Sequence, residues 1–186
     1  RHRPAVFHLA PVTSDGRLAR FAEPAHEPRD ALLDRHRRRI AALGARPGDA
    51  VLVSGTLGDA ALGLEPAAAP ALRRHQRRPV PRLALGRALW GMATACIDLS
   101  DGLLQDLGHL CDASRVGASV RLDRLPLSRA YRAAALGRRD PWAAAASGGE
   151  DYELLVTVPP SRVPAALAAA RRAGTRLTVV GAVVAG

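Results

Sequence analysis

Between Thr94 and Cys111 the apolar residues change period within a few positions, and this change constrains the fold more than any other feature of the chain. Thr94 to Ile97 reads as a short buried strand. From Asp101 onward Leu103, Leu104, Leu107, Leu110 and Cys111 recur at helical spacing along one side. Asp98, Ser100 and Asp101 lie where the strand hands over to the helix. Read as a helix start, Ser100 is the N-cap and Asp101 falls in the first turn, where the helix dipole favours a negative charge by about 0.3–1 kcal/mol. That accounts for Ser100-Asp101-Gly102 but not for Asp98. A carboxylate at the end of an apolar strand, close to a second one, is repulsive unless a cation or a shared proton relieves it. Mg²⁺ suits such a place, because it takes one or two carboxylates and completes its shell with water and phosphate. The residues leave two readings open, a helix start and a metal–phosphate site, and the second is the sharper.

The flanking sequence supplies layers on which to hang that corner. Arg46-Pro47-Gly48-Asp49 is a turn signal, followed by the apolar strand Ala50–Val53. Ser54-Gly55-Thr56-Leu57-Gly58 then leads into a small-residue helix ending near Leu64. Such a strand–glycine–helix junction suits a phosphate cradle, since N–H groups at a helix start attract anions, but a tight turn with close helix packing explains it as well. Glu65 to Pro70 is a connector. Pro79 and Pro81 separate one helix from a second over Leu83–Trp90, and the arginines of the 73–82 stretch read as a solvated face before a phosphate contact. Gly117 to Leu122 alternates like a half-buried strand, and helices follow near Ala130–Leu136 and after Asp140-Pro141. Ser147-Gly148-Gly149-Glu150-Asp151-Tyr152-Glu153 directly precedes the strand Leu154–Val158. An alanine-rich helix to about Ala173 and a strand Thr175–Val184, broken at Gly181, close the pattern. The expectation is an α/β (α+β layered) domain, a mixed sheet with helices packed on it.

Composition removes several mechanisms. All 27 basic residues counted as Lys or Arg are arginine, and asparagine is absent too. There is no P-loop lysine, no Schiff-base lysine and no Cys-His-Asn triad. A net charge of +10 favours anionic partners, nucleotide phosphate before nucleic acid. No apolar run reaches the length of a membrane span, so no membrane partner is expected. Cys96 and Cys111 lack metal-ligand spacing and read as reduced core residues, which implies a cytoplasmic protein. His75 and His109 read as structural. Residues 1–43 are rich in Arg, His, Pro and Ala without a sustained period. They read as an irregular basic arm, or the remnant of another domain, with only Arg29–Leu43 suited to a helix.

Four ordered motifs resemble one family. Gly48-Asp49 with Val53-Ser54-Gly55-Thr56-Leu57-Gly58-Asp59, then Arg78-Pro79-Val80-Pro81-Arg82, then Ile97-Asp98-Leu99-Ser100-Asp101-Gly102-Leu103, then Ser147-Gly148-Gly149-Glu150-Asp151-Tyr152-Glu153-Leu154 closely resemble thiamine-monophosphate kinase over about residues 44–186. That family belongs to the aminoimidazole-ribonucleotide synthetase-like superfamily, and the resemblance implies the fold of that superfamily's C-terminal domain. It also implies Mg²⁺-dependent transfer of the γ-phosphate of ATP to thiamine monophosphate, giving thiamine diphosphate.

Carried over by residue, the resemblance implies Asp98 and Asp101 as Mg²⁺ ligands, Ser100 as a contact to ATP, and Glu150 as a contact to thiamine monophosphate. No nucleophilic side chain is assigned, because transfer of this kind is direct and rests on positioning and charge neutralisation. The family's ATP-contacting arginine before Gly44-Ala45 has no counterpart, since Ala42 stands there. Its N-terminal domain, which supplies other metal ligands and the homodimer contact, is not found in residues 1–43. The expectation is a C-terminal kinase domain over 44–186, shortened at its end and inactive alone. The alternatives are another ATP-dependent enzyme of the superfamily and a non-catalytic basic binding module.

Overall fold

The computed structural model describes Val6–Leu9 and residues 44–186. In chain order the elements are β1 (Val6–Leu9), β2 (Ala50–Ser54), α1 (Asp59–Gly63), α2 (Pro70–Arg77), α3 (Leu83–Ala88) and β3 (Ala95–Asp98). There follow α4 (Leu103–Ser114), β4 (Gly117–Arg121), α5 (Arg129–Ala135), α6 (Ala143–Ser147), β5 (Leu154–Val158), α7 (Val163–Arg172) and β6 (Leu177–Val184). Short 3₁₀ turns, Leu122–Arg124 and Pro160–Arg162, follow β4 and precede α7. The helix read over Arg29–Leu43 lies outside the described residues, as does Ala42. Val6–Leu9, inside the stretch read as an irregular arm, pairs with β4 as an edge strand.

The strands form one sheet in the order β1-β4-β6-β2-β5-β3. Every adjacent pair is antiparallel, so the sheet is not mixed as expected. The expectation failed for a definite reason. Alternating strands and helices favour parallel neighbours, and β5 and β6, joined through α7, do run the same way. However, β2 lies between them, antiparallel to both.

Helices cover both faces of the central strands, which is why β2 and β5 read as continuous apolar runs. Val51, Val53 and Leu155 point into a core with Leu103, Leu107 and Leu110 of α4, Tyr131 of α5 and Ala145 of α6. Leu52, Val156 and Val158 point the other way, onto Leu85 and Leu89 around α3 and Ala166 and Ala170 of α7. The strand period of two thus feeds two cores from the same residues. Cys96 and Cys111 are free thiols, and burial pushes them up to about 12 and about 11 respectively. Among the described residues no helix is long and apolar enough to cross a membrane.

Candidate functional site

The strand-to-helix corner forms as the period change requires, but it is capped differently from the expectation. α4 starts at Leu103, with Gly102 at the N-cap (φ 115°), so Ser100 and Asp101 both precede the helix. The Asp106 carboxylate accepts from the N–H of Asp101 (3.1 Å) and of Gly102 (3.0 Å), reaching back to satisfy the orphan donors. A side chain at Gly102 would start 2.9 Å from the carbonyl of Ser147, so the corner and the Gly148-Gly149 loop are in contact. Because Asp106 does the capping, Asp101 is released from it. Its carboxylate takes a 3.3 Å hydrogen bond from Gln105 and is exposed, as is Asp98.

The loop before β5 meets this corner through backbone bonds. The β3–β5 ladder ends at the Asp98–Leu154 pair. Beyond it Leu99 N–H donates to Glu153 O (2.8 Å), Tyr152 N–H to Leu99 O (2.8 Å) and Glu150 N–H to Ser100 O (2.9 Å). Two residues of the loop therefore match one of the corner, and Glu150 (φ 70°) and Tyr152 (φ 50°) take up the mismatch in left-handed backbone conformations. This crossing brings Asp98, Ser100, Asp101 and Glu150, which are separated by up to 52 positions in sequence, to one place. The Tyr152 hydroxyl donates to Glu150 at 3.3 Å, and its ring is 37% exposed. The Glu150 charge foremost, with Asp98 and Asp101 contributing, raises the Tyr152 phenol above its usual range. Three carboxylates thus act on one exposed aromatic ring.

Alternate residues of the loop point inward. Glu153 is 2% exposed and accepts from Arg82 Nε (2.7 Å) and Nη2 (2.5 Å), and from the Ser54 hydroxyl. Its carboxylate fills the space that a side chain at Gly55 (φ 58°) would occupy. Asp151 accepts from Gly58 N–H (2.6 Å) and Ala60 N–H (3.3 Å). The glycine junction read as either a phosphate cradle or a tight turn is therefore a turn that seats the protein's own carboxylates. Arg82, read among a solvated face, is half-buried in an ion pair. Asp59 is buried, accepts from Thr56 and Ser128 hydroxyls (2.7 and 2.6 Å), and lies 3.8 Å from His75 Nε2, so His75 packs at a structural contact.

Sequence reading singled out the four outward residues and missed Tyr152, Asp151, Glu153, Arg82 and Asp106. The in–out alternation of Glu150 to Glu153, continuous with the strand that follows, was the available signal. Among the described residues no three His, Cys, Asp or Glu side chains form a ready-made metal cage. Asp98 and Asp101 are exposed hard-oxygen donors, outside the ion pairs found among the described residues. Such a pair fits a Mg²⁺ that keeps water and phosphate in its remaining positions.

The model of the AIR synthase related protein, C-terminal domain, matches residues 46–186. The chain belongs to that family. Within it, the chain is 43% identical over 155 residues to the thiamine-monophosphate kinase of Salmonella typhimurium, covering 77% of this chain and 47% of the relative. The crystal structure of thiamine-monophosphate kinase from Stenotrophomonas maltophilia superposes with a TM-score of 0.72 at 38% identity, over 79% of this chain and 51% of that one. AaThiL complexed with AMPPCP and TMP superposes at 0.66 and 34% identity, over 79% and 48%. The resemblance seen in the motifs is therefore found across the sequence and in the fold, and the chain spans about half the length of the relatives it matches.

Proposed function

We propose that this chain forms the C-terminal part of a kinase that transfers the γ-phosphate of ATP to thiamine monophosphate, giving thiamine diphosphate and ADP. One observation carries the reading: backbone bonds from Glu150 and Tyr152 to Ser100 and Leu99 bring the acids of two separate motifs onto one surface. On this reading Asp98 and Asp101 hold Mg²⁺, which when bound supplies charge neutralisation between the phosphates. Ser100, between them, contacts ATP. Glu150 contacts the acceptor, whose thiazolium is cationic and suits a carboxylate. Direct transfer needs positioned oxygens and no protein nucleophile, which agrees with a site built of carboxylates and backbone. The similarity to a structure holding AMPPCP and TMP supports both ligands.

A cytoplasmic location and a homodimer belong to the same proposal, with nucleic acid and membrane absent from the partners. The test is direct. The full-length protein, given ATP, Mg²⁺ and thiamine monophosphate, is expected to form thiamine diphosphate and ADP in equal amounts. ATP hydrolysis with thiamine monophosphate left unchanged would overturn the reading.

A further inference from the structure

Asp151 is costly to place and has no part in the chemistry proposed above. It is 8% exposed, and the Asp59 and Glu153 charges both act on it. Burying a carboxylate near two others is unfavourable unless it is well hydrogen-bonded. Its seat is the backbone of the Gly58–Ala60 turn, where it accepts from Gly58 N–H (2.6 Å) and Ala60 N–H (3.3 Å). No other residue of the Glu150–Glu153 run is fastened to that turn's backbone among the described contacts. On either side of Asp151 stand Glu150 and Tyr152, both in left-handed backbone conformations and both turned outward toward the Asp98–Asp101 corner. Non-glycine residues hold such conformations when the surroundings over-determine them. Here the main chain is pinned at each outward residue, Glu150 N–H to Ser100 and Tyr152 N–H to Leu99. The residue between them is pinned by its side chain. Released from that pin, the left-handed kinks on either side of Asp151 are held by the two backbone bonds alone.

We propose that Asp151 is a positioning residue for the acceptor side of the reaction, acting through Glu150: its carboxylate, seated on the Gly58–Ala60 backbone, sets the direction in which Glu150 and Tyr152 face. This rests on the kinase reading above. The effect falls on thiamine monophosphate and not on ATP, because Asp98, Ser100 and Asp101 belong to a different segment with its own cap at Asp106.

The experiment compares Asp151→Asn and Asp151→Ala with the parent in the full-length enzyme, alone and in a Glu150→Ala background. Asn keeps one acceptor oxygen and serves if Ala fails to fold. Displacing Glu150 by the order of an ångström is expected to raise the KM for thiamine monophosphate by up to about tenfold, with the KM for ATP nearly unchanged. In the Glu150→Ala background the same substitution is expected to change that KM less than about twofold, since residues acting as one unit are not additive. Equal losses for both substrates, or an undiminished loss without Glu150, would overturn the proposal and make Asp151 a stability residue only. A parent enzyme that forms no thiamine diphosphate would overturn the kinase reading itself, and the proposal with it.

Discussion

Burial pushes the Asp151 carboxyl up to about 7 from 3.8, against the opposing pull of its two backbone hydrogen bonds and with the Asp59 and Glu153 charges adding to the rise. The sign of the linkage follows. Between about pH 4 and pH 7 the folded protein holds a proton that the unfolded chain has released, so raising pH through this window favours unfolding. The contribution is fully present below the unfolded value and is lost as pH rises through the folded one. Each pH unit inside the window is worth about 1.4 kcal/mol, so going from pH 5 to pH 7 is expected to cost about 2–3 kcal/mol through this group. Asp151→Asn has no proton to lose. Urea unfolding of parent and variant at several pH values isolates the term, because Asp106, whose carboxyl is also raised by burial, is common to both and cancels. The expected result is a difference between the two that changes by about 2–3 kcal/mol between about pH 5 and pH 7 and is flat above about pH 8. Parallel curves for parent and variant would refute the reasoning.

Other substitutions test the supports of the site. Arg82→Met leaves Glu153 buried without its cation and is expected to cost about 3 kcal/mol in chemical denaturation, part of which Glu153→Gln on top should restore. Gly55→Ala drives a methyl group into the Glu153 carboxylate from a left-handed backbone position, for an expected loss of about 2–4 kcal/mol by the same assay. Asp106→Ala removes the acceptor of the Asp101 and Gly102 N–H groups. It is expected to cost about 1 kcal/mol in stability and to weaken activation by Mg²⁺ more than it raises the KM for thiamine monophosphate.

The elements that sequence reading located best are those whose period is set by two-sided burial. Val51 and Leu155 face one core while Leu52 and Val156 face the other, so β2 and β5 show as unbroken apolar runs whatever their partners. Their direction was not legible, because it depends on β2 inserting between β5 and β6, a fact carried by no local residue. The outward acids Asp98, Asp101 and Glu150 were legible by type and by resemblance. Their supports were not. Ser100 is a residue type suited to an N-cap, yet the N-cap is Gly102, and the Asp106 carboxylate accepts from the Asp101 and Gly102 N–H groups. Arg82 stands in a run of arginines, and its partner, the buried Glu153, lies 71 positions away.

The measurement closest to the central claim is the partition of kinetic effects between the two motifs that the corner and the loop bring together. Steady-state kinetics on the full-length enzyme would compare Asp101→Asn and Asp98→Asn with Glu150→Gln, each with its melting temperature. The two aspartate variants are expected to lose Mg²⁺-dependent turnover while melting as the parent does. Glu150→Gln is expected to raise the KM for thiamine monophosphate by about tenfold, for a charge-assisted contact worth about 1.5 kcal/mol, and to leave the Mg²⁺ dependence unchanged. Near-parental turnover in both aspartate variants, or an unaltered KM for thiamine monophosphate in Glu150→Gln, would contradict the account.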